Sequence, residues 1–570
     1  MTYQNYEVTV YENLRELYHG AAERFGDKTL FYEKKKDFYT RYSYLQYRED
    51  VDALATALLD AGLEGQNILL LGKNCYAWAL SYMACACIGT VVPLDRSLSA
   101  EELCELASFS DATAVICGTE EAEQLSIPSP TVKRITFEDL ETLIQRGRRL
   151  LSHGDRRYLD RAIDPGVMCA LLFTSGTTGN EKGVMLSHRN LCFNISEMCR
   201  MFYIDQKDVF LSILPLHHAY ESTCGFLCPM SRGAEIAFSE DLRHVIKNMR
   251  EVRPTVILCV PMFLDTLYRK ICSTLSKNGM ESKIRFAVGL TETLVSEKQR
   301  PAYQKRIFAD LHKSLGGRLR ALISGGASAD PEVIRGLREL GFSVYQGYGL
   351  TECAPLVAIN RDRCFKDKSA GLATPNTLLD IYEAHGDRIG EIRFRGENVM
   401  LGYYKNPRAT AQILRDGWLY TGDLGYMDED GFLYVTGRKK NLIVTSGGKN
   451  IFPEELEYRL NKTAFVKESV VVGCYNSKKR TSDVVAVIYP DYERLEAVYG
   501  VDYSQHRLSL EIKKAVSEVN GRLLPYKRIT SFLIRREEFP KNSSQKIVRE
   551  GVIAEVTRSY FAKSDHEKIF

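Results

Sequence analysis

An α/β fold, with a mainly parallel sheet covered by helices on both faces and a smaller α/β unit after it, is what this chain predicts. Three observations carry that expectation. Short apolar strands alternate with a helix between Ile68 and Cys117. The chain changes character beyond Lys440. Its 570 residues exceed what one ordinary core holds, so two or more domains are expected. Hydrophobic residues make up 45% and charged residues 26%, an ordinary globular balance. With 76 basic and 73 acidic residues the net charge is +3, too small an excess to argue for nucleic acid or an anionic membrane as partner.

The elements follow in order. Residues 11 to 61 read as helical at both ends around a polar, β-like middle from Thr29 to Tyr44. Asp50 to Leu63 has apolar residues at helical spacing and stops near Gly62. Ile68–Leu71 is a buried strand, Cys75–Ile88 a helix and Thr90–Pro93 a strand. That βαβ unit implies parallel pairing, and the cadence returns at Ala112–Cys117. The longest apolar run, Ala77 to Leu94, contains Pro93 and is short for a membrane span; a buried helix followed by a strand fits it better. The basic run from Arg146 to Asp160 reads as a solvated helix face. The opening stretch is polar and mixed, and the 15 cysteines lack a repeated metal spacing, so buried thiols in a reducing cytoplasm are expected.

Candidate chemistry begins at Leu171–His188, LLFTSGTTGNEKGVMLSH. A buried strand enters a loop of Ser, Thr and Gly and then meets Lys182. Such a loop can aim several N–H groups and hydroxyls at one anion, although in isolation it is more often a surface turn. The Walker pattern GxxxxGK[ST] is absent. SILPLHHAYE, Ser212–Glu221, holds adjacent His217 and His218; on a strand they would face opposite ways and would not share a metal ion. Arg253 to Leu267 reads as a strand leading to a helix. Leu322–Ser328 reads as a strand ending in glycines, where Gly325 permits close approach of a ligand. YQGYGLTECAP follows at Tyr345–Pro355, then glycine-turn hairpin pieces between Gly371 and Pro407. From Leu419 to Phe452, Thr421-Gly422-Asp423 reads as a tight turn and Asp430-Gly431 as a hairpin turn. Arg438, Lys439 and Lys440 form a basic cluster, Gly447-Gly448 a further turn, and Pro453 opens a helix. Ser469–Gly473 and Val484–Tyr489 are strands, Leu508–Leu524 is a helix, and the last distinctive segment is FPKNSSQKIVR, Phe539–Arg549.

These segments, in this order, closely resemble the motifs of the adenylate-forming superfamily, whose members include acyl-CoA synthetases, nonribosomal-peptide adenylation domains and luciferases. The His-His-x-Tyr-Glu variant is most similar to the long-chain fatty acyl branch. The resemblance implies a large N-terminal domain of α/β sheets with a β-barrel-like subdomain, residues 1–439. It also implies a small mobile C-terminal α+β domain, residues 440–570, pivoting at Lys440. It assigns Thr174, Ser175, Gly176, Thr177, Thr178 and Lys182 to the phosphates of ATP. Gly325, Gln346, Gly347 and Tyr348 go to the nucleotide wall, and Asp423 and Arg438 to ribose. Thr351 goes to the α-phosphate and Glu352 to Mg²⁺, for which a hard carboxylate oxygen is suited. His218 lies at the junction of acyl and nucleotide pockets, Gly447 on the face presented to the thiol, and Lys546 is the catalytic lysine. Glu181, Glu221 and Gln545 depart from the usual Pro, Gly and Gly.

The implied chemistry is attack of a carboxylate on the α-phosphorus of Mg·ATP. Transfer of the acyl group from the adenylate to CoA follows. The alternative acceptor is a phosphopantetheine thiol on an acyl carrier protein supplied in trans. A third reading is a nucleotide-binding interaction module without turnover, against which Lys546, Glu352, Asp423 and Arg438 count. No nucleic acid partner and no membrane span are expected, which leaves room for peripheral membrane contact.

Overall fold

A computed structural model of the chain describes residues 4–36, 38–124, 132–174, 182–277, 288–289, 291, 295, 299–385, 388–445, 448–476, 481–541 and 547–563. Two large sheets and two small ones organise them. The seven-stranded sheet runs in the order Gly402–Tyr403, Lys182–Ser187, Met168–Thr174, Thr90–Pro93, Asn67–Leu71, Ala112–Cys117, Lys133–Thr136. Its last five strands are parallel, while Met168–Thr174 and Lys182–Ser187 form an antiparallel hairpin. The expected strands at 68–71, 90–93 and 112–117 are present, and the helix between the first two is Tyr76–Ile88, with Cys75 at its N-cap. That helix is buried on every side, as an evenly apolar helix must be.

The second sheet has fourteen strands. Its parallel half contains Thr29–Lys35, Glu235–Phe238, Val209–Ser212, Val256–Cys259 and Ala321–Ser324, and ends at Val344–Gly349. Its antiparallel half continues through Leu356–Ile359, Gly371–Ala373, Phe432–Arg438, Trp418–Met427, Ile389–Arg395 and Leu378–His385. The strand Val344–Gly349 belongs to both halves. Leu322, Ile323 and Ser324 pair parallel with its first residues, and the segment 356–359 pairs antiparallel with its last.

Beyond Ile443 the apolar contacts form a separate core. Leu456, Leu460, Val471, Ala486, Leu495 and Ile512 pack together between the helices Pro453–Asn461 and Gln505–Gly521 and the strands Val466–Asn476, Thr481–Pro490 and Ser531–Ile534. The helix expected to reach Leu524 stops at Gly521. All fifteen cysteines are free thiols, eleven of them buried. Among the described residues, no helix is long and apolar enough to cross a membrane.

Two expectations need correction. Thr421-Gly422-Asp423 is not a turn between strands. It lies inside the strand Trp418–Met427, as a bulge where the register steps from Glu391–Leu424 to Arg393–Tyr420. Gly422 takes φ +71°, which a glycine reaches without strain. The basic run 146–160 is not one helix face, because its helix, Leu140–Ser152, ends inside it. Its arginines are paired as well as solvated. Arg146 and Arg157 meet Asp60, and Arg148 Nη2 lies 2.5 Å from Asp50 Oδ1, both carboxylates belonging to the helix Tyr44–Asp60.

These two helices touch at Gly147, where an added Cβ would stand 1.8 Å from the Ala53 carbonyl oxygen. Backbone cannot yield as a flexible side chain can, so Gly147→Ala forces the helices apart. A loss of about 1–3 kcal/mol is expected, read as a lower urea midpoint; an unchanged midpoint would contradict this close contact.

Candidate active site

The site gathers where the hairpin, the shared strand and the bulged strand meet. Thr174 and Lys182 are the last register pair of the hairpin, so the chain returns to its starting point across the loop. Gly402–Tyr403 adds to the hairpin's outer edge opposite Val184 and Met185. This puts the Lys182 ammonium 4.9 Å from the centre of the Tyr403 ring. The Tyr403 hydroxyl donates to Glu352 Oε1 at 2.7 Å, and the Met400 N–H donates to the Glu352 carbonyl at 2.9 Å. Burial, with Glu352 adding to it, pushes the Tyr403 phenol well above its ordinary pKa. Thr351 and Glu352 occupy a short 3₁₀ turn right after the shared strand. The turn needs Gly349, since a Cβ there would stand 1.9 Å from the Pro355 carbonyl oxygen.

On the other side, Asp423 is buried and has two partners. The Tyr348 hydroxyl donates to Oδ2 at 2.7 Å, and Arg438 Nε lies 3.0 Å from Oδ1. Asp423 and Arg438 are direct cross-strand neighbours, which fixes this pair through backbone pairing. The bulge itself is braced by Glu391, which accepts from the Gly422 N–H at 3.2 Å and pairs with Lys439 at 2.7 Å.

Four cations then come from three stretches of chain. Lys440 follows Arg438 in the next turn, and its Nζ is 4.0 Å from Glu550 Oε1. Burial and then the neighbouring Arg438 hold its pKa below the usual lysine value. Arg549 and Lys182 push the same way, and Glu550 opposes them. Arg549 is itself anchored on Glu457, a carboxyl that burial pushes up to about 7. Lys182 reaches the Tyr403–Glu352 pair through the Tyr403 ring, and Lys440 feels Arg438, Arg549 and Lys182, a grouping of positive charge that suits a polyanion carrying a divalent cation. Among the described residues, no three His, Cys, Asp or Glu side chains are placed to hold a metal ion together. A cation here would take Glu352 and the ligand's own oxygens, which is how Mg²⁺ is commonly held.

Other expected residues stand differently. Gln346 spends its side chain on the scaffold, accepting from the Ala329 N–H at 2.8 Å and donating to the Asp367 carbonyl at 2.7 Å. Gly347 pairs with Ile359 in the ladder. At Gly325 the close neighbour is Tyr220, whose ring a Cβ would meet at 2.8 Å and whose hydroxyl donates to the Ile323 carbonyl. His217 and His218 are not on a strand, because the strand ends at Ser212. They sit in the turn before a π-helix, Tyr220–Leu227, with rings 4.1 Å apart, so the argument from opposite faces does not apply. Asn74 shapes that turn, accepting from the Leu216 N–H at 3.0 Å and donating to the Leu214 carbonyl at 2.7 Å. Ser175, Gly176, Thr177, Thr178, Gly447 and Lys546 lie outside the described residues. Lys541 and Ile547, flanking the last of these, form an antiparallel bridge. Asn74, Tyr220, Glu391, Tyr403 and Arg549 are the residues that sequence reasoning did not assign. Tyr220 and Arg549 stand inside SILPLHHAYE and FPKNSSQKIVR, Glu391 and Tyr403 between Gly371 and Pro407, and only contacts reveal their part.

Glu221 is the most exposed to a change of pH in its energetics. It is 1% accessible, its Oε2 has no partner, and its carboxyl fills the space a Cβ on Gly225 would need, 2.7 Å away. Burial raises its pKa to about 8, against a smaller opposing effect of the Ser212 hydroxyl. A folded-state value above the unfolded one, about 4.3, gives stability that is full below the unfolded value and is lost as pH rises through the folded one. Glu221→Gln is therefore expected to gain on the order of a few kcal/mol over the parent near about pH 8 and to lose that advantage near about pH 4. Thermal unfolding across that window checks it; a pH-independent difference would contradict a neutral carboxyl.

Comparison with known proteins agrees with this geometry. The model of the AMP-binding enzyme family matches residues 18–404, more than half of the chain. The long-chain-fatty-acid–CoA ligase FadD15 of Mycobacterium bovis is 27% identical over 96% of this chain and 95% of its own length. The long-chain-fatty-acid–CoA ligase 5 of Rattus norvegicus is 28% identical over 91% and 83%. The O-succinylbenzoate coenzyme A synthetase MenE of Bacillus subtilis, solved with ATP and a magnesium ion, superposes with a TM-score of 0.70. It covers 94% of this chain and 98% of its own at 22% identity, a likeness of fold. The motifs, the sheet architecture and the family match agree: the chain belongs to the AMP-binding enzymes, the adenylate-forming family that its sequence resembles.

Proposed function

We propose that this protein is an AMP-forming acid–thiol ligase that activates a long-chain fatty acid with ATP and passes the acyl group to CoA. The observation that carries the reading is the Tyr403 phenol, which holds Glu352 and lies under Lys182, with Asp423 and Arg438 paired across the neighbouring strands. The relatives named above support the substrate class and the acceptor.

In this reading Asp423 accepts from the ribose hydroxyls, Arg438 donates to ribose and phosphate oxygens, and the Tyr348 ring faces the adenine. Thr174 to Thr178 and Lys182 hold the departing pyrophosphate, and Thr351 holds the α-phosphate. Glu352 holds Mg²⁺, which when bound neutralises phosphate charge. The fatty carboxylate attacks the α-phosphorus, and pyrophosphate leaves. Most of the catalysis is positioning and charge stabilisation. Lys546 bridges the carboxylate and α-phosphate oxygens as negative charge builds. The unit from residue 440 onward then turns about Lys440, withdraws Lys546 and presents the face that includes Gly447. The CoA thiol attacks the acyl carbonyl and AMP leaves, so one site serves two reactions. The free thiols fit a reducing compartment, and we place the enzyme in the cytoplasm.

ATP–pyrophosphate exchange across a panel of fatty, aryl and amino acids tests the first step. Exchange with long-chain fatty acids, drawn into AMP release by CoA, is the expected result. Exchange that only a carrier protein pulls forward would move the acceptor, and no exchange with any acid would overturn the reading. Lys546→Ala is expected to slow exchange about 10²–10³-fold while leaving much of the thioester step from supplied acyl-adenylate. Equal loss of both would remove Lys546 from its role.

A further inference from the structure

The C-terminal unit touches the larger one at a second place, away from the cation cluster. The Tyr458 hydroxyl, on the helix Pro453–Asn461, donates to Asp330 Oδ1 at 2.9 Å. Lys462, just past that helix, places its Nζ 3.2 Å from Asp330 Oδ2 and 2.5 Å from Glu332 Oε2, over the Tyr458 ring at 4.6 Å. Asp265, from the helix Pro261–Lys277, faces the same group, and its carboxyl feels both Asp330 and Lys462. Asp330 is also the N-cap of the helix Pro331–Glu339, with Oδ1 accepting the Glu332 N–H at 2.8 Å. Its position is therefore set by the backbone.

That helix joins the strand Ala321–Ser324 to the shared strand Val344–Gly349. The seat for Lys462 is thus rigidly tied to the wall that carries Tyr348. On the C-terminal side, the helix that carries Tyr458 also carries Glu457, the anchor of Arg549. One short helix therefore connects the Asp330–Glu332 seat to the cation cluster. With Lys462 seated, Arg549 lies within electrostatic reach of Lys440, as does Lys182, and the Lys541–Ile547 bridge stands two residues before Arg549. Lys462 belongs to the unit after residue 440 and Asp330 and Glu332 to the part before it, so a rotation at Lys440 changes their separation.

We propose that Lys462, seated on Asp330 and Glu332, is a positioning residue for adenylation. It holds the C-terminal unit in the pose that brings Arg549 to the phosphate-facing cations, and it must leave its seat before the thiol step. This rests on the two-step reaction proposed above. The seat is partly open, with Lys462 and Asp330 side chains 32% and 20% accessible and Glu332 69%. The contact is therefore weak enough to break in each cycle, and its loss should shift the pose by roughly fivefold.

The test compares Lys462→Glu, Glu332→Lys and the double variant, none of which touches the nucleotide groups. Three quantities are read: ATP–pyrophosphate exchange, CoA-dependent release from supplied acyl-adenylate, and amide hydrogen exchange of the helices Pro331–Glu339 and Pro453–Asn461. Lys462→Glu is expected to slow pyrophosphate exchange roughly threefold to tenfold, leave the thiol step equal or faster, and deprotect both helices. The double variant should restore much of each change by re-forming the pair with opposite signs. Equal loss of both reactions, or unaltered amide protection, would overturn the proposal. So would lost protection with an unaltered ratio of the two steps. Should the parent chain exchange pyrophosphate with no acid, the two-step reading fails, and the amide readout still decides whether Lys462 holds the pose.

Discussion

The strand Val344–Gly349 has to satisfy two neighbours of opposite sense. Its first residues pair parallel with Ala321–Ser324, and its last pair antiparallel with the segment 356–359. Parallel and antiparallel ladders place their hydrogen bonds differently, so a strand can change partner type only where its backbone departs from regularity. Here a register shift falls between Tyr348 and Gly349, and a Cβ on Gly349 would collide with the Pro355 carbonyl. Tyr348 and Glu352 flank that irregularity. Groups at the end of a strand that switches partners sit at a natural crevice, which is where open α/β sheets commonly bind ligands. Asp423, Tyr403 and the hairpin all reach the site through elements registered against this one.

A second constraint is electrical. Lys182, Arg438, Lys440 and Arg549 come from a hairpin, a strand end, a 3₁₀ turn and the start of the last helix. Each is held by a carboxylate, an aromatic face or the backbone. Glu550 lies near Lys440, Glu457 holds Arg549, Asp423 holds Arg438, and the Tyr403 ring lies beneath Lys182. The cluster is tolerated because each member is partly offset, and it stays receptive to an anion because Lys440 is still depressed.

Much of the fold was legible, and the reason differs by element. Ile68–Leu71, Thr90–Pro93 and Ala112–Cys117 are apolar runs bounded by turns, and buried parallel strands read that way. The helix Tyr76–Ile88 was legible because it is long and uniformly apolar. What failed depended on pairing that no local pattern contains. Thr-Gly-Asp has the same residues whether it makes a turn or a bulge, and only the ladder against Glu391 and Arg393 decides. His217 and His218 follow the strand that ends at Ser212; Pro215, which a central strand excludes, signals that end, but nothing in SILPLHHAYE marks the π-helix beyond it. In the site, Lys182, Glu352, Asp423, Arg438 and Lys440 were legible through the motifs the chain resembles rather than through any local chemical pattern. Tyr403, Glu391 and Arg549 act through contacts with distant residues, from 31 positions away for Glu391 and Gly422 to 92 for Arg549 and Glu457, which a reading along the chain does not see.

The order in which the four cations appear along the chain bears on how the protein is made. Domains generally fold as they emerge from the ribosome, N-terminal first. Lys182 comes first, Arg438 and Lys440 much later, and Arg549 later still. The apolar cores of both large sheets, and the Tyr403–Glu352 pair, can therefore form before Arg549 adds its charge. A nascent chain that has completed both large sheets already carries Lys182 and Arg438, and the positive grouping gains Arg549 only when the later unit is made.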